Sequence, residues 1–172
     1  MIHFKDNYST ENIIKSTNEL DISFFQKNAS GQLESMVRSC NVSAPTFFQK
    51  NGIVKSLGGC NLKYSFEDWP LWVKLLEHGY RFYYMDVFTV AYRHHSTGMS
   101  THLTRLLNPA FEKSKFEFMH DVCFKYYTKN EIKLAQVEYR IKMLIIFLGL
   151  NHANVFCKAI YSICLRVINY LR

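Results

Sequence analysis

Two neighbouring carboxylates, Glu67 and Asp68, precede an apolar stretch of the chain, in the segment YSFEDWPLWVKLLEHGYRFYYMD. A carboxylate held in one place can take a proton from a hydroxyl group during a reaction, which is general base catalysis. An aspartate directly before a helix can equally act as its N-cap, because its oxygen accepts hydrogen bonds from unpaired N–H groups of the first turn. Position alone favours the capping role.

The residues after this acidic pair predict an amphipathic helix from about Trp69 to His78. Apolar side chains recur on one side of it, at Leu71, Trp72, Leu75 and Leu76. Such spacing is typical of a helix with one buried face. Pro70 is tolerated in a first turn, and Gly79 stands where helices commonly end with a positive φ. The positive end of this helix would favour the charged form of Asp68, so capping and proton acceptance are compatible.

The remaining pattern predicts strands mixed with short helices, followed by helices alone. Strands are expected near residues 22–25 and 46–48, and in the segments RFYYMD and FTVAYR. Short helices are expected near residues 32–38 and 51–57, the second ended by Gly58 and Gly59. Longer helices are expected at about 107–127, 131–148 and 153–170. We therefore expect an α/β domain over residues 1–100 and a helical extension over residues 101–172.

The charge of the chain is concentrated in the predicted extension. The formal net charge is +7, and residues 101–172 carry 11 Lys and Arg against 5 Asp and Glu, whereas residues 1–100 carry 10 against 9. A basic helical tail can meet anionic lipid, an acidic protein or nucleic acid, or it can simply form a solvated face. Because the basic residues are scattered and form no recognised motif, nucleic acid is the least favoured partner.

The cysteines and the hydropathy pattern suggest a cytoplasmic chain. Five widely spaced cysteines without a C-x-x-C pair indicate neither a disulfide framework nor a thiolate zinc site. Residues 1–20 are polar and show no secretory signal. The longest uncharged apolar run, residues 143–150, is far shorter than the ~18 residues that span a bilayer. We expect a cytoplasmic location, with peripheral contact at the inner face of the membrane as an option for the tail.

The order of these segments resembles the C-terminal half of the family 2 glycosyltransferases of the GT-A fold. That family typically shows an E-D-W-x-L-W-x-R-L stretch, then G-Y, a strand, and Y-R-x-H. The matching residues are Glu67, Asp68, Trp69, Leu71, Trp72, Leu75, Gly79, Tyr80, Tyr92, Arg93 and His95. Lys74 stands where the family usually has Arg. The resemblance covers about residues 41–100, and it implies a partial GT-A-like sheet with flanking helices.

The resemblance implies transfer of a sugar from a nucleotide-sugar to an acceptor hydroxyl. The hydroxyl must lose its proton as it attacks an oxocarbenium-like carbon, so a fixed carboxylate is needed within reach. Asp68 matches that general base, and Glu67 would orient the acceptor or a neighbouring backbone group. Trp69 could stack on a sugar face, whereas Trp72, on the inner stripe of the helix, is expected in the core.

The family pattern also assigns a role to the segment YRHHSTGMS. Arg93 and His95 would approach the departing diphosphate or its divalent metal, Mg or Mn, since the leaving group develops negative charge. Adjacent histidines at a strand end are equally often solvated loop residues, so both interpretations stay open. The family holds its metal with an Asp-x-Asp, which this chain lacks, and only about forty residues precede the matched region.

Two functions are therefore expected from the sequence. The first is a truncated or split glycosyltransferase in surface polysaccharide or glycan synthesis. Its partners would be a nucleotide-sugar, a glycan or lipid-linked acceptor, and a separate chain that supplies the donor site. The second is a non-catalytic interaction module that uses its basic helical tail to bind protein, membrane or nucleic acid.

Overall fold

The computed structural model describes residues 2–5, 13–16, 22–50, 52–87, 89–94, 108–148 and 166. The chain divides into two compact units, Met1–Thr101 and His102–Arg172, and each is described by itself. The first unit contains strands β1 (Ile2–Lys5), β2 (Ile13–Ser16) and β3 (Ala91–His94), and helices α1 (Ser23–Gln26), α2 (Ala29–Arg38), α3 (Ile53–Ser56) and α4 (Asp68–Glu77). The second contains helices α5 (Pro109–Phe118) and α6 (Lys129–Phe147), joined by a π-helical turn, Met119–Cys123, and a 3₁₀ turn, Phe124–Tyr126.

The three strands form one small mixed sheet. β1 is central, with β2 antiparallel on one side and β3 parallel on the other. The pairing of β1 with β2 shifts register between His3 and Phe4. Each strand has only four residues, and helices make up most of the described structure. The expected α/β class is thus corrected to an α-rich fold, in which the described residues show no larger GT-A-like sheet.

Several predicted elements are confirmed, and others are wrong. The helices predicted at residues 32–38, 51–57, 69–78, 107–127 and 131–148 correspond to α2, α3, α4, α5 with its following turns, and α6. The segment at 22–25, predicted as a strand, is helical. The prediction was wrong because a short apolar run is found in both strands and helices. The strand predicted at 46–48 is replaced by a 3₁₀ helix, Ala44–Thr46, in whose first turn Pro45 fits. The helix predicted at 153–170 lies outside the described residues, apart from Arg166, which is helical.

Hydrogen bonds from two tryptophans of α4 join this helix to the last turn of α2 and to the segment that follows α2. The indole N–H of Trp69 donates to the Met36 carbonyl at 2.6 Å, and that of Trp72 donates to the Val42 carbonyl at 3.1 Å. Met36 lies in the last turn of α2, where carbonyls lack partners within the helix. Both indoles are nearly buried, so these bonds are shielded from water. They set the position of the start of α4.

Helix α4 ends in a Schellman motif that directs the chain into an extended segment. Gly79 has φ +81°, which an L side chain rarely adopts. Its N–H donates to the Leu76 carbonyl at 3.0 Å, and the next N–H, of Tyr80, donates to the Leu75 carbonyl at 3.1 Å. The predicted helix end is therefore confirmed at this glycine.

A side chain takes the place of a neighbouring strand beside this extended segment. The amide nitrogen of Gln32 donates to the Phe82 carbonyl, and the N–H of Phe82 donates to the Gln32 side-chain oxygen, both at 2.8 Å. Gln32 is fully buried in α2, and Phe82 is nearly so. The strand expected over 81–86 is therefore not formed in the described structure, where a carboxamide pairs with the backbone of Phe82 instead of a neighbouring strand.

In the second unit, a buried ion cluster joins α5 to α6. The Lys142 ammonium lies 3.0 Å from a Glu112 carboxylate oxygen and 3.1 Å from one of Glu138. Burial alone would lower the pKa of Lys142, but the two carboxylates outweigh it and raise that pKa above its usual value. Close by along the same two helices, Phe116 stacks on Tyr139 with ring centroids 4.2 Å apart.

None of the helices within the described residues is long and apolar enough to cross a membrane. The absence of a transmembrane helix was the expectation from the sequence.

Replacing Gln32 by Leu should destabilise the first unit. The buried N–H and C=O of Phe82 would lose their partners, and we expect the free energy of unfolding to fall by about 3 kcal/mol. Urea unfolding followed by tryptophan fluorescence reports on this unit, because both tryptophans of the chain belong to it. Gln26→Leu, at an exposed glutamine, is the control and should stay within about 0.5 kcal/mol of the parent. Equal unfolding midpoints for the two variants would show that the Gln32 bonds are dispensable.

Replacing Lys142 by Met should destabilise α5 and α6, because it leaves two neighbouring carboxylates buried without a cation. We expect a loss of about 3 kcal/mol, measured by hydrogen exchange of peptides from residues 129–147. Since the pKa of Lys142 is raised, its contribution is complete below the ordinary lysine pKa of 10.5 and disappears as the pH rises through the folded value. Lys133→Met, at an exposed position of α6, should change little; a similar loss there would contradict this account.

Candidate functional site

Asp68 is the first residue of α4, and its side chain is only half-buried. One of its carboxylate oxygens, Oδ1, accepts a hydrogen bond from the N–H of Trp69 at 2.7 Å. Glu67 takes the N-cap position instead, with an exposed side chain that makes no capping bond. The expectation that Asp68 precedes the helix and caps it is therefore wrong by one residue. Its carboxylate is held by the N–H of the second residue of the helix, Trp69.

The other oxygen of this carboxylate, Oδ2, accepts no hydrogen bond within the described part of the chain. A carboxylate with one oxygen fixed and the other open can accept a proton from a hydroxyl group that approaches it. The position of Asp68 follows from the two tryptophan bonds, because they fix the first turns of α4 against α2. Local geometry thus meets the first requirement of a general base.

The thiol of Cys40 responds to the negative charge of Asp68. Cys40 is exposed as a residue, but its sulfur is part-buried and donates to the Val42 carbonyl at 3.4 Å. Burial of the sulfur, and then the negative charge of Asp68, raise the pKa of Cys40 to about 11. The thiol is therefore protonated at neutral pH, where it is a poor nucleophile.

Trp69 does not present a free ring for stacking. Only 7% of this residue is exposed, and its ring lies beside that of Phe66 with centroids 6.3 Å apart. The sugar-stacking role expected from the resemblance does not fit this burial. Trp69 instead positions α4 through the Met36 carbonyl. Trp72 lies in the core, where the amphipathic pattern places it.

Of the remaining predicted site residues, the structure describes Arg93 but not His95. Arg93 lies in β3, pairs with Phe4 of β1, and is exposed. No hydrogen bond or ion pair between Arg93 and either Glu67 or Asp68 is present among the described residues. His95, expected near the diphosphate or a metal, lies outside the described residues.

The described residues do not fit the divalent metal that the resemblance implies. Within them, no group of three or more His, Cys, Asp or Glu side chains could hold an ion. A Mg or Mn site is built mainly from oxygen ligands, which a lone carboxylate pair at Glu67 and Asp68 does not complete. We therefore assign no step to a metal.

An aromatic groove, a cavity of about 700 Å³, lies between two extended segments of the first unit. Its walls come mainly from residues 46–50 and residues 79–87, and neither Glu67 nor Asp68 is among the described residues that line it. Sequence reasoning missed this groove. The run of aromatic residues from Tyr80 to Tyr84 was the available signal, but a half-buried strand has the same composition.

Comparison with known proteins does not assign the chain to a family. No family model matches it, and neither a curated protein nor a solved structure matches it significantly.

Alkylation of Cys40 should report the charge of Asp68. Because the thiolate is the reactive form, we expect the rate of modification, read by mass spectrometry of the Cys40 peptide, to rise with pH through about 11. Asp68→Asn removes the negative charge and should lower that midpoint, while Glu77→Gln at the other end of α4 should not. A midpoint at the ordinary thiol value of 9.0 in the unmodified chain would contradict this environment.

Proposed function

We propose that this chain is the acceptor-side half of a glycosyltransferase of family 2 with a GT-A-like origin, in which Asp68 is the general base. One observation carries the proposal: Asp68 starts α4, one of its carboxylate oxygens accepts from the Trp69 N–H, and the other accepts no hydrogen bond from the described residues. The E-D-W-x-L-W stretch around it resembles family 2 glycosyltransferases, and we propose sugar transfer because of this resemblance. The support is local, because it rests on this helix start and not on the whole fold.

In the proposed reaction, an acceptor hydroxyl hydrogen-bonds to the open oxygen of Asp68. As the hydroxyl oxygen bonds to the anomeric carbon of the donor sugar, its proton passes to that carboxylate and the bond to the nucleoside diphosphate breaks. The hydrogen bond from Trp69 N–H holds the carboxylate in one orientation, which removes part of the entropic cost of reaching the transition state. Glu67, exposed beside it, would orient the acceptor.

The donor site is proposed to come from a separate chain. The described residues contain no set of metal ligands, and the chain has no Asp-x-Asp. Arg93, through its positive charge, and His95, through a ring N–H, remain candidates for stabilising the departing diphosphate once that chain is present. A glycan or lipid-linked acceptor at the inner face of the membrane, and a cytoplasmic location, complete the proposal. The basic tail would supply the peripheral membrane contact.

A non-catalytic interaction module remains the second candidate. The observation that favours it is the aromatic groove, whose described walls do not include the acidic pair. Binding at that groove would be independent of Asp68.

Replacement of Asp68 by Asn separates the two candidates. Asn keeps the oxygen that accepts from Trp69 but cannot take a proton, so the fold should persist while transfer falls by about 100-fold or more. The measurement adds the purified full chain to extract of source cells that lack its gene. Transfer of labelled sugar from nucleotide-sugars to membrane lipid or glycan is then followed.

Glu77→Gln is the matched control, because it removes an exposed carboxylate from the far end of the same helix. It should transfer sugar within about twofold of the parent chain. Equal transfer by Asp68→Asn and the parent would contradict the base assignment. No gain in transfer on adding the parent chain would contradict the glycosyltransferase proposal as a whole.

A further inference from the structure

In the segment Arg81–Tyr83, one side of the backbone is bound to Gln32, and no backbone group of the described residues pairs with the other side. Phe82 uses its N–H and C=O on Gln32. In a trans peptide group the C=O and the N–H point to opposite sides, and the peptide bonds on both sides of Phe82 are trans. The Arg81 C=O and the Tyr83 N–H therefore point away from Gln32, and within the described part of the chain neither makes a backbone hydrogen bond. This open edge has the hydrogen-bonding pattern that a further strand requires.

Aromatic side chains beside this edge form the walls of the aromatic groove. Tyr83 is 77% exposed, and Phe48 across the groove is 66% exposed. Large apolar side chains left in water at such a surface favour a partner that covers them. Because successive side chains of a strand alternate in direction, every second side chain of an added strand would lie over the groove. An extended peptide can therefore use the backbone edge and the aromatic walls together.

The charges around the groove favour an acidic residue in that peptide. Lys50 and Arg81 bring two cations to its walls. Asp86, a carboxylate of the same walls, already accepts a hydrogen bond from the Tyr84 hydroxyl at 2.9 Å. The guanidinium of Arg81 is anchored beside the edge by the Phe25 carbonyl at 3.3 Å. An acidic side chain would complement this local positive charge.

A second copy of this chain is a poorer occupant. Two copies of the edge paired antiparallel about Phe82 would place the two Arg81 side chains at diagonal positions, about 7–8 Å apart, with no acidic residue opposite either of them. The formal net charge of +7 on each copy adds to the repulsion.

We propose that the aromatic groove binds an extended, partly acidic segment of a partner protein by strand addition to the edge at Arg81 and Tyr83. The added strand hydrogen-bonds to the backbone of both residues and lays apolar side chains against Tyr83 and Phe48. This binding involves neither Asp68 nor the proposed transfer reaction, so it can hold whether or not the chain is a transferase.

The test is selection of a random dodecapeptide display library on the full chain, followed by synthesis of the enriched peptides. We expect sequences with alternating apolar residues and at least one Asp or Glu. Hydrogen exchange should then show protection of the Tyr83 amide when peptide binds. A version of the same peptide with N-methyl groups on alternate amides cannot pair with a strand, and it should bind about tenfold more weakly or worse.

Substitutions of Tyr83 give the matched pair on the protein side. Tyr83→Pro removes the backbone donor and should weaken binding about tenfold, whereas Tyr83→Ala keeps the donor and should weaken it by about threefold. If N-methylated peptides bind as tightly as their parents, strand addition is wrong. The groove would then bind peptides through side-chain contacts alone. No enrichment of peptides would overturn the proposal as well. Protection of the same amide with rising protein concentration, without peptide, would assign the edge to a second copy instead.

Discussion

The hydrogen bonds from two indoles to two carbonyls are the constraint on which the first unit depends. Trp69 donates from α4 to Met36 in the last turn of α2, and Trp72 donates to Val42 in the segment that follows α2. A buried carbonyl without a partner would destabilise the fold, so each bond stabilises both helices at once. Asp68 immediately precedes Trp69, so the contact of Trp69 with Met36 determines the direction of the Asp68 side chain.

The same packing separates two kinds of surface. The start of α4 presents a carboxylate that is fixed but open, which suits proton transfer. The end of α4 passes through Gly79 into the extended edge, where Gln32 occupies one side of the backbone. Helix α2 supports both, because Met36 receives an indole and Gln32 holds Phe82. The proposed proton transfer at one end of α4 and the proposed peptide binding at the other therefore use different residues of the same unit.

The sequence predicted features that local rules determine, and it missed those that depend on distant residues. Pro70 and Gly79 identify both ends of α4, so that helix could be placed to within about one residue. The aromatic pattern of residues 81–86 predicted a strand, which the described structure does not form. It could not show that Gln32, fifty residues earlier, would replace a paired strand, since no spacing rule connects a buried amide to a distant backbone. The aromatic groove was missed for the same reason.

Exchange of the indole N–H protons of Trp69 and Trp72 with deuterated solvent, followed by NMR, tests the central claim most directly. If these two bonds hold α2 and α4 together, both protons should exchange only through global unfolding of the first unit. Their protection should then equal its full free energy of unfolding and fall in parallel with it as urea is added. Exchange through local opening, at a free energy well below the global value, would show that α4 is not fixed there. These two bonds would then not fix the orientation of the Asp68 carboxylate.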